Sequence, residues 1–201
     1  MTLANKLGIT DEVELAHEEE RISKMAALEL YRSGKLDQLK PGTFEALKSI
    51  HLALFGSIYD FAGKVRTVNL AKGGFRFASS LYLDSAIKAI EAMPQGDFDQ
   101  IVEKYVEMNV AHPFREGNGR SGRIWLDHMF RREARVTVDW SRIGREDYLL
   151  AMERSPIRDV ELKGLLRGAL SEDLENVTLL ARSIDASYRY EGYDAYKCED
   201  L

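Results

Sequence analysis

The sequence predicts an all-α protein carrying one small β-hairpin, and three observations lead to that class. Apolar residues recur three and four apart through most of the 201 residues, the period of helices with one buried face. Alternation of period two is confined to residues 65–78, around Gly73-Gly74, and two strands by themselves cannot bury a sheet core. No repeat or low-complexity linker divides the chain, so residues 1–201 are expected to form a single domain. Its expected parts are a helical region at 11–42, a core at 43–170, a last helix within 171–192 and a tail at 193–201.

Residues 11–32 place Ile22, Met25, Ala26 and Ala27 on one stripe behind the acidic run Glu18-Glu19-Glu20. A helix with acids near its start is expected there, and the run itself reads as a solvated face. Pro41-Gly42 breaks the chain, and Thr43 can cap a helix from Phe44 to Ala62 that Gly63 closes. His51, inside that element, is expected to be packed and hydrogen-bonded. Val65 to Leu70 and Phe75 to Ala78 read as short strands joined at Gly-Gly. The hairpin is either a plain connection or an edge that accepts a partner's extended segment. Helices follow at 82–93 and after Asp97, where Gln100 makes a capping box. The second of these stops near Ala111, because Pro113 disfavours helical geometry at His112. Residues 120–134 (with His128 at the rim of the core), 145–154 and 157–170 give further helices. Val177, Leu180, Ala181, Ile184 and Tyr188 stripe a last helix that ends at Glu191, with Gly192 as its closing residue.

A net charge of −5 leaves no overall basic field, so direct nucleic-acid or membrane-surface binding is not expected. No apolar run approaches the roughly 20 residues of a membrane span, and the start lacks the apolar core of a secretory signal. The lone Cys198 excludes an intramolecular disulfide and fits a reducing, cytoplasmic setting. Its neighbours Glu199 and Asp200 do not favour a thiolate nucleophile.

The chemistry concentrates in His112-Pro113-Phe114-Arg115-Glu116-Gly117-Asn118-Gly119-Arg120-Ser121-Gly122-Arg123. Residues 112–135 hold six arginines against three carboxylates, a local excess of positive charge in an acidic chain. Gly117 and Gly119 allow successive N–H groups to point into one hollow. A helix starting near Arg120 adds its positive end. Arg120 and Arg123 share a helix face and can fork onto phosphate oxygens. Glu116 fits a Mg²⁺ ligand, since that ion takes one or two carboxylates together with substrate phosphates. His112 is the group able to take a proton near neutral pH. A base, a metal ligand and an anion hole are the equipment of phosphoryl or nucleotidyl transfer.

This string resembles the signature of the Fic family, most of whose members transfer AMP from ATP to a hydroxyl on a target protein. Ile50-His51, Leu54-Phe55, Ile58-Tyr59, Phe61-Ala62-Gly63, Arg66 and Gly74-Phe75-Arg76 extend the resemblance over roughly residues 44–170. It implies the Fic fold, a helical bundle with a β-hairpin flap and a C-terminal inhibitory helix. It implies His112 as base and Glu116 as the ligand of Mg²⁺ between the α- and β-phosphates. Gly117, Asn118 and Gly119 would form the anion hole, with Arg120 and Arg123 on the β- and γ-phosphates. The flap, Lys72-Gly73-Gly74-Phe75-Arg76-Phe77, would align the target. A phosphotransferase branch carries lysine where this chain has Gly119, which points to AMP transfer.

Taken alone, Glu191 reads as a surface residue. However, Ser187-Tyr188-Arg189-Tyr190-Glu191-Gly192 is similar to the Ser-x-x-x-Glu inhibitory motif of autoinhibited Fic proteins. A C-terminal position resembles the third class of that family, which includes a Neisseria enzyme. The resemblance implies that Glu191 pairs with Arg123 and misplaces the γ-phosphate of ATP. It also implies self-association, modification of the tail at Tyr188 (Tyr190 less so), and type II topoisomerase subunits as possible targets. Removal of AMP from modified proteins, with Glu191 aligning a water, is a second enzymatic reading. An ATP-sensing module without turnover is the reading from another class.

Overall fold

The apolar stripes fold into helices, seen in a computed structural model that describes residues 2–72 and 75–201, Lys72 by its backbone alone. Short polar caps start several of them, satisfying first-turn N–H groups that have no partner inside a helix. Asp11 caps α1 (Glu12–Arg32) and Thr43 caps α2 (Phe44–Phe55). Asp97 caps α4 (Phe98–Ala111), which follows α3 (Leu83–Glu91). Gln100 accepts from Gly96 N–H rather than from the Asp97 N–H of a regular capping box. After α5 (Asn118–Met129) come α6 (Arg145–Arg154), α7 (Val160–Ala169) and α8 (Val177–Arg189), the last capped by Asn176. Among the described residues no helix is long and apolar enough to cross a membrane.

The centre is α5, buried from Arg120 to Met129 and packed by α2, α4 and α8. It passes into a π-turn at Phe130–Ala134, which Arg135 ends with φ +57°. Beside it, α1 lies against α2 and α8. The string 112–123 therefore runs from the end of α4 into the first turns of the innermost helix.

Several expectations change. On α1 the buried face is the series Leu15, Glu19, Ser23, Ala27 with Glu20, Lys24 and Leu28, whereas Met25 is 44% exposed. The acidic run is therefore not a solvated face: Glu19 and Glu20 are 3% and 1% exposed. Helix α2 stops at Phe55 instead of Ala62, because Ile58 and Tyr59 N–H groups both turn back to Phe55 O. That bend buries both side chains. Residues 65–70 form no strand; the hairpin is only β1 (Ala71–Lys72) with β2 (Phe75–Arg76), paired Ala71↔Arg76 and Lys72↔Phe75. A second antiparallel pair, β3 (Thr137–Val138) with β4 (Leu170–Ser171), was not predicted and takes Leu170 out of the expected 157–170 helix. Cys198 is buried.

Candidate active site

Proline 113 keeps His112 out of right-handed helical geometry, and His112 adopts φ 49°, ψ 61° as the residue that ends α4. Its N–H still reaches Met108 O at 3.0 Å. Its Nδ1 lies 3.3 Å from Asn109 O. A carbonyl can only accept, so Nδ1 carries the proton and Nε2 is the basic nitrogen. Phe77, just after the hairpin, stacks on the imidazole with centroids 3.6 Å apart.

Arg66 holds this corner. Its buried guanidinium donates to His112 O (2.7 Å), Ala111 O (3.1 Å), Val68 O (2.6 Å) and Ala78 O (2.6 Å). Its backbone N–H adds Pro113 O at 2.8 Å. One cation thus closes the C-terminal carbonyls of α4 and ties both feet of the hairpin to the histidine. Burial pulls the guanidinium below its ordinary pKa. His51 buttresses the other side: it accepts from Gly63 N–H at Nδ1 and donates from Nε2 to Glu116 O at 2.8 Å, as the packed role expected for it requires. Burial lowers its pKa to about 4.

The turn into α5, where the anion hollow is expected, holds Asn118 and two glycines. The Asn118 side chain bonds both the N–H and the O of Phe114, at 2.8 and 2.7 Å. What residue 118 brings to the hollow is therefore its backbone. Gly117 has φ +76°, and a Cβ there would meet the Phe55 ring at 2.4 Å. Glu116, its side chain 42% exposed, accepts from Gly117 N–H and contacts Arg120. Among the described residues no three His, Cys, Asp or Glu gather as a metal cluster. Glu116 fits instead the one-carboxylate donor set that Mg²⁺ completes with phosphates and water.

Of the six arginines of residues 112–135, Arg120 and Arg123 are buried on the first turns of α5. Arg131 donates to Leu174 O and Arg132 to Asp37 O. Arg120 has no exposed surface and sits among three carboxylates: Glu19 (2.7 Å), Glu191 (3.1 Å) and Glu116 (3.3 Å). Its Nε and Nη1 nevertheless lack a well-directed hydrogen bond. Orphaned donors on a buried guanidinium suit a multi-oxygen anion. Arg123 donates to Ser187 Oγ, Ser187 O and Glu191 Oε1, each at 2.7 Å. Burial is the largest influence and works against its charge, but Glu191, Tyr148 and Tyr105 together more than offset it, and the guanidinium stays above its ordinary pKa.

Glu191 thus touches both arginines and lies over Gly119, where a Cβ would meet its Oε1 at 2.1 Å. Gly192 has φ +91°. Bonds from Gly192 N–H to Arg189 O and from Tyr193 N–H to Tyr188 O form a Schellman ending, with the Tyr188 and Tyr193 rings in edge contact. Tyr188 itself is 1% exposed, with its ring facing Lys24 and Arg120. Its hydroxyl is inaccessible in this conformation, so modification there would need α8 to leave. Tyr190 is equally buried and donates to Trp140 O and Ile143 O.

In the flap, Phe77 packs on the histidine, Phe75 is part-buried and Arg76 is exposed. Gly73, Gly74 and the Lys72 side chain lie outside the described residues.

Sequence reasoning missed Glu19, Glu20, Lys24 and Tyr193. Glu19 accepts from Tyr193 OH at 2.8 Å and in a short bond from Tyr59 OH. Lys24 pairs with Glu20 and Asp185, each at 2.9 Å, and donates to Tyr196 O. The available signal was the four-residue series 15-19-23-27, which places Glu19 on the buried stripe.

Residues 41–130 match the Fic/DOC family. The chain is 33% identical over 200 residues to protein adenylyltransferase VbhT of Bartonella schoenbuchensis, an alignment covering 91% of this chain and 39% of that protein. The chain thus spans about two fifths of that relative's length. Among solved structures, BepC of Bartonella tribocorum with bound AMPPNP is similar at TM-score 0.71 and 21% identity, over 85% of this chain and 93% of that one. A Fic domain from Bartonella quintana with bound ADP gives TM-score 0.71 and 21% identity, over 89% and 94%. These two likenesses show the fold.

Proposed function

The chain carries a domain of the Fic/DOC family at residues 41–130, and on that premise we propose that it is a self-restrained protein adenylyltransferase. His112 Nε2 takes the proton of a target-protein hydroxyl as its oxygen attacks the α-phosphorus of ATP. The bond to the α,β-bridging oxygen breaks, and pyrophosphate leaves. Gly117, Asn118 and Gly119 present the α5 N-terminus to the phosphates, and Arg120 and Arg123 hold the β- and γ-groups. Glu116 would hold Mg²⁺, which when bound neutralises charge on the phosphates. Phe75, Arg76 and Phe77 would guide the target segment to His112.

One observation carries the restraint: the Glu191 carboxylate is ion-paired to Arg120 and Arg123, at 3.1 and 2.7 Å. A terminal phosphate would need the same donors, so ATP and Glu191 compete. Ser187 reinforces Glu191 by binding Arg123, and Gly192 sets the turn that aims it. Type II topoisomerase subunits as targets, modification of Tyr188 after release of α8, and self-association belong to the same proposal.

The test uses labelled ATP and Mg²⁺. Glu191→Gly should label itself or added proteins well above wild type, and Glu191→Gly/His112→Ala should not. A folded Glu191→Gly variant with no gain sinks the restraint. ATP binding in calorimetry with no transfer by either protein would make the chain a nucleotide-sensing module. Mass spectrometry of a lysate treated with Glu191→Gly identifies the target.

A further inference from the structure

We propose that Glu19, on α1, is a positioning residue that holds the Arg120 guanidinium in place for the terminal phosphates of the nucleotide. The inference rests on the adenylyltransferase reading and adds to it a residue outside the signature.

Arg120 is fully buried, so its charge needs a counter-charge within reach at every stage of a working cycle. Three carboxylates supply it here. Two are committed elsewhere once the enzyme works: Glu191 must withdraw, and Glu116 turns to the magnesium ion. Glu19 is the one that stays. It is 3% exposed and lies 2.7 Å from Arg120 Nη1, on a helix remote in sequence. Tyr59 OH and Tyr193 OH both donate to it and hold the carboxylate in one orientation. The Tyr193 and Phe55 rings flank the guanidinium at 4.4 and 4.8 Å, so the arginine is boxed with Glu19 on one side. The contact is a charge pair rather than a directed hydrogen bond from Nη1. The guanidinium therefore keeps donors for phosphate while Glu19 steadies its charge. Tyr193 follows Gly192 directly, so the same carboxylate also senses whether the tail is docked.

The experiment compares ATP and AMP binding by calorimetry in the full chain, with Glu191→Gly as the reference. That reference should prefer ATP, because Arg120 and Arg123 read the distal phosphates. Adding Glu19→Gln, which keeps shape and removes charge, should cut the ATP-over-AMP preference about tenfold or more while AMP binding changes less than threefold. A merely structural role would weaken both nucleotides alike, and that result overturns the proposal, as does a preference kept or increased. Should Glu19→Gln fail to fold, Glu19→Asp withdraws the charge by one methylene and should give a partial loss of the same preference. An unchanged preference in a folded Glu19→Asp variant also overturns it. A reference variant with no preference for ATP defeats the active-site reading itself, and the Glu19 proposal with it.

Discussion

At the residue scale, the site depends on conformations and charges that few side chains tolerate. Gly117 shows the first. Its φ of +76° costs an L-residue about 1–2 kcal/mol, and an added Cβ would sit 2.4 Å from the Phe55 ring. Gly117→Ala should lower stability by more than the backbone cost alone, since Phe55 is buried and cannot move aside freely. Urea denaturation within 0.5 kcal/mol of wild type, an estimate of surface-level change, would contradict this. The signature made His112, Gly117, Arg120 and Arg123 legible, because each needs a particular residue type. Glu19 was legible only through its place in the 15-19-23-27 series, and its charge gave no sign of burial, since a buried carboxylate and a solvated one are the same letter until a partner helix arrives.

At the element scale, the corner between α4 and the hairpin is held by one side chain. Arg66 donates to four carbonyls from two segments, among them His112 O. Lysine cannot reproduce that planar fork. In the Glu191→Gly background, Arg66→Lys should reduce transfer about a hundredfold, the penalty an ångström of misplacement can carry. Single-turnover kinetics at saturating ATP would show it as a slower chemical step; an unchanged rate would remove Arg66 from the positioning of His112. The second strand of the hairpin was legible at Phe75–Arg76, whereas the first, Ala71–Lys72, lies beyond the alternating residues 65–70 that were expected to form it. The pairing of Thr137–Val138 with Leu170–Ser171 was not legible, because two-residue strands separated by α6 and α7 carry no local period.

At the scale of the whole molecule, buried ionisable groups set the response to pH and to loss of a partner. Burial lowers His51 and His128 to a pKa of about 4, below the unfolded value of about 6.5. The unfolded chain therefore binds more protons between those values, and folding stability falls as pH drops from about 6.5 to about 4. Each histidine should add up to about 1.4 kcal/mol per pH unit within that window. Among the described residues neither ring nitrogen of His128 has a hydrogen-bond partner, so His128→Leu should flatten the curve at little cost at pH 8. Denaturant melts across pH test both parts, and an unchanged slope refutes the assignment. Lys24 is fully buried between Glu20 and Asp185 and binds the tail at Tyr196 O. Lys24→Met strands two carboxylates and should cost about 3–5 kcal/mol, measured by equilibrium unfolding. A loss under 1 kcal/mol, the ordinary worth of an exposed pair, would show that the network is solvated.

The amino-acid sequence by itself determined the helical class, the caps at Thr43 and Asp97, the stop at His112 and the candidate residues for a phosphate hollow. Each of these follows from local backbone preferences or from a short string whose chemistry needs neighbours in sequence. Only the tertiary structure decided what surrounds those candidates beyond the Glu191–Arg123 pair that the resemblance implied. Glu191 and Ser187 reach Arg123 from α8, and Glu19 reaches Arg120 from α1, across 68, 64 and about 100 residues of chain. Pairing at such separations depends on how helices pack around α5, and buried charge has its meaning only after packing removes the water.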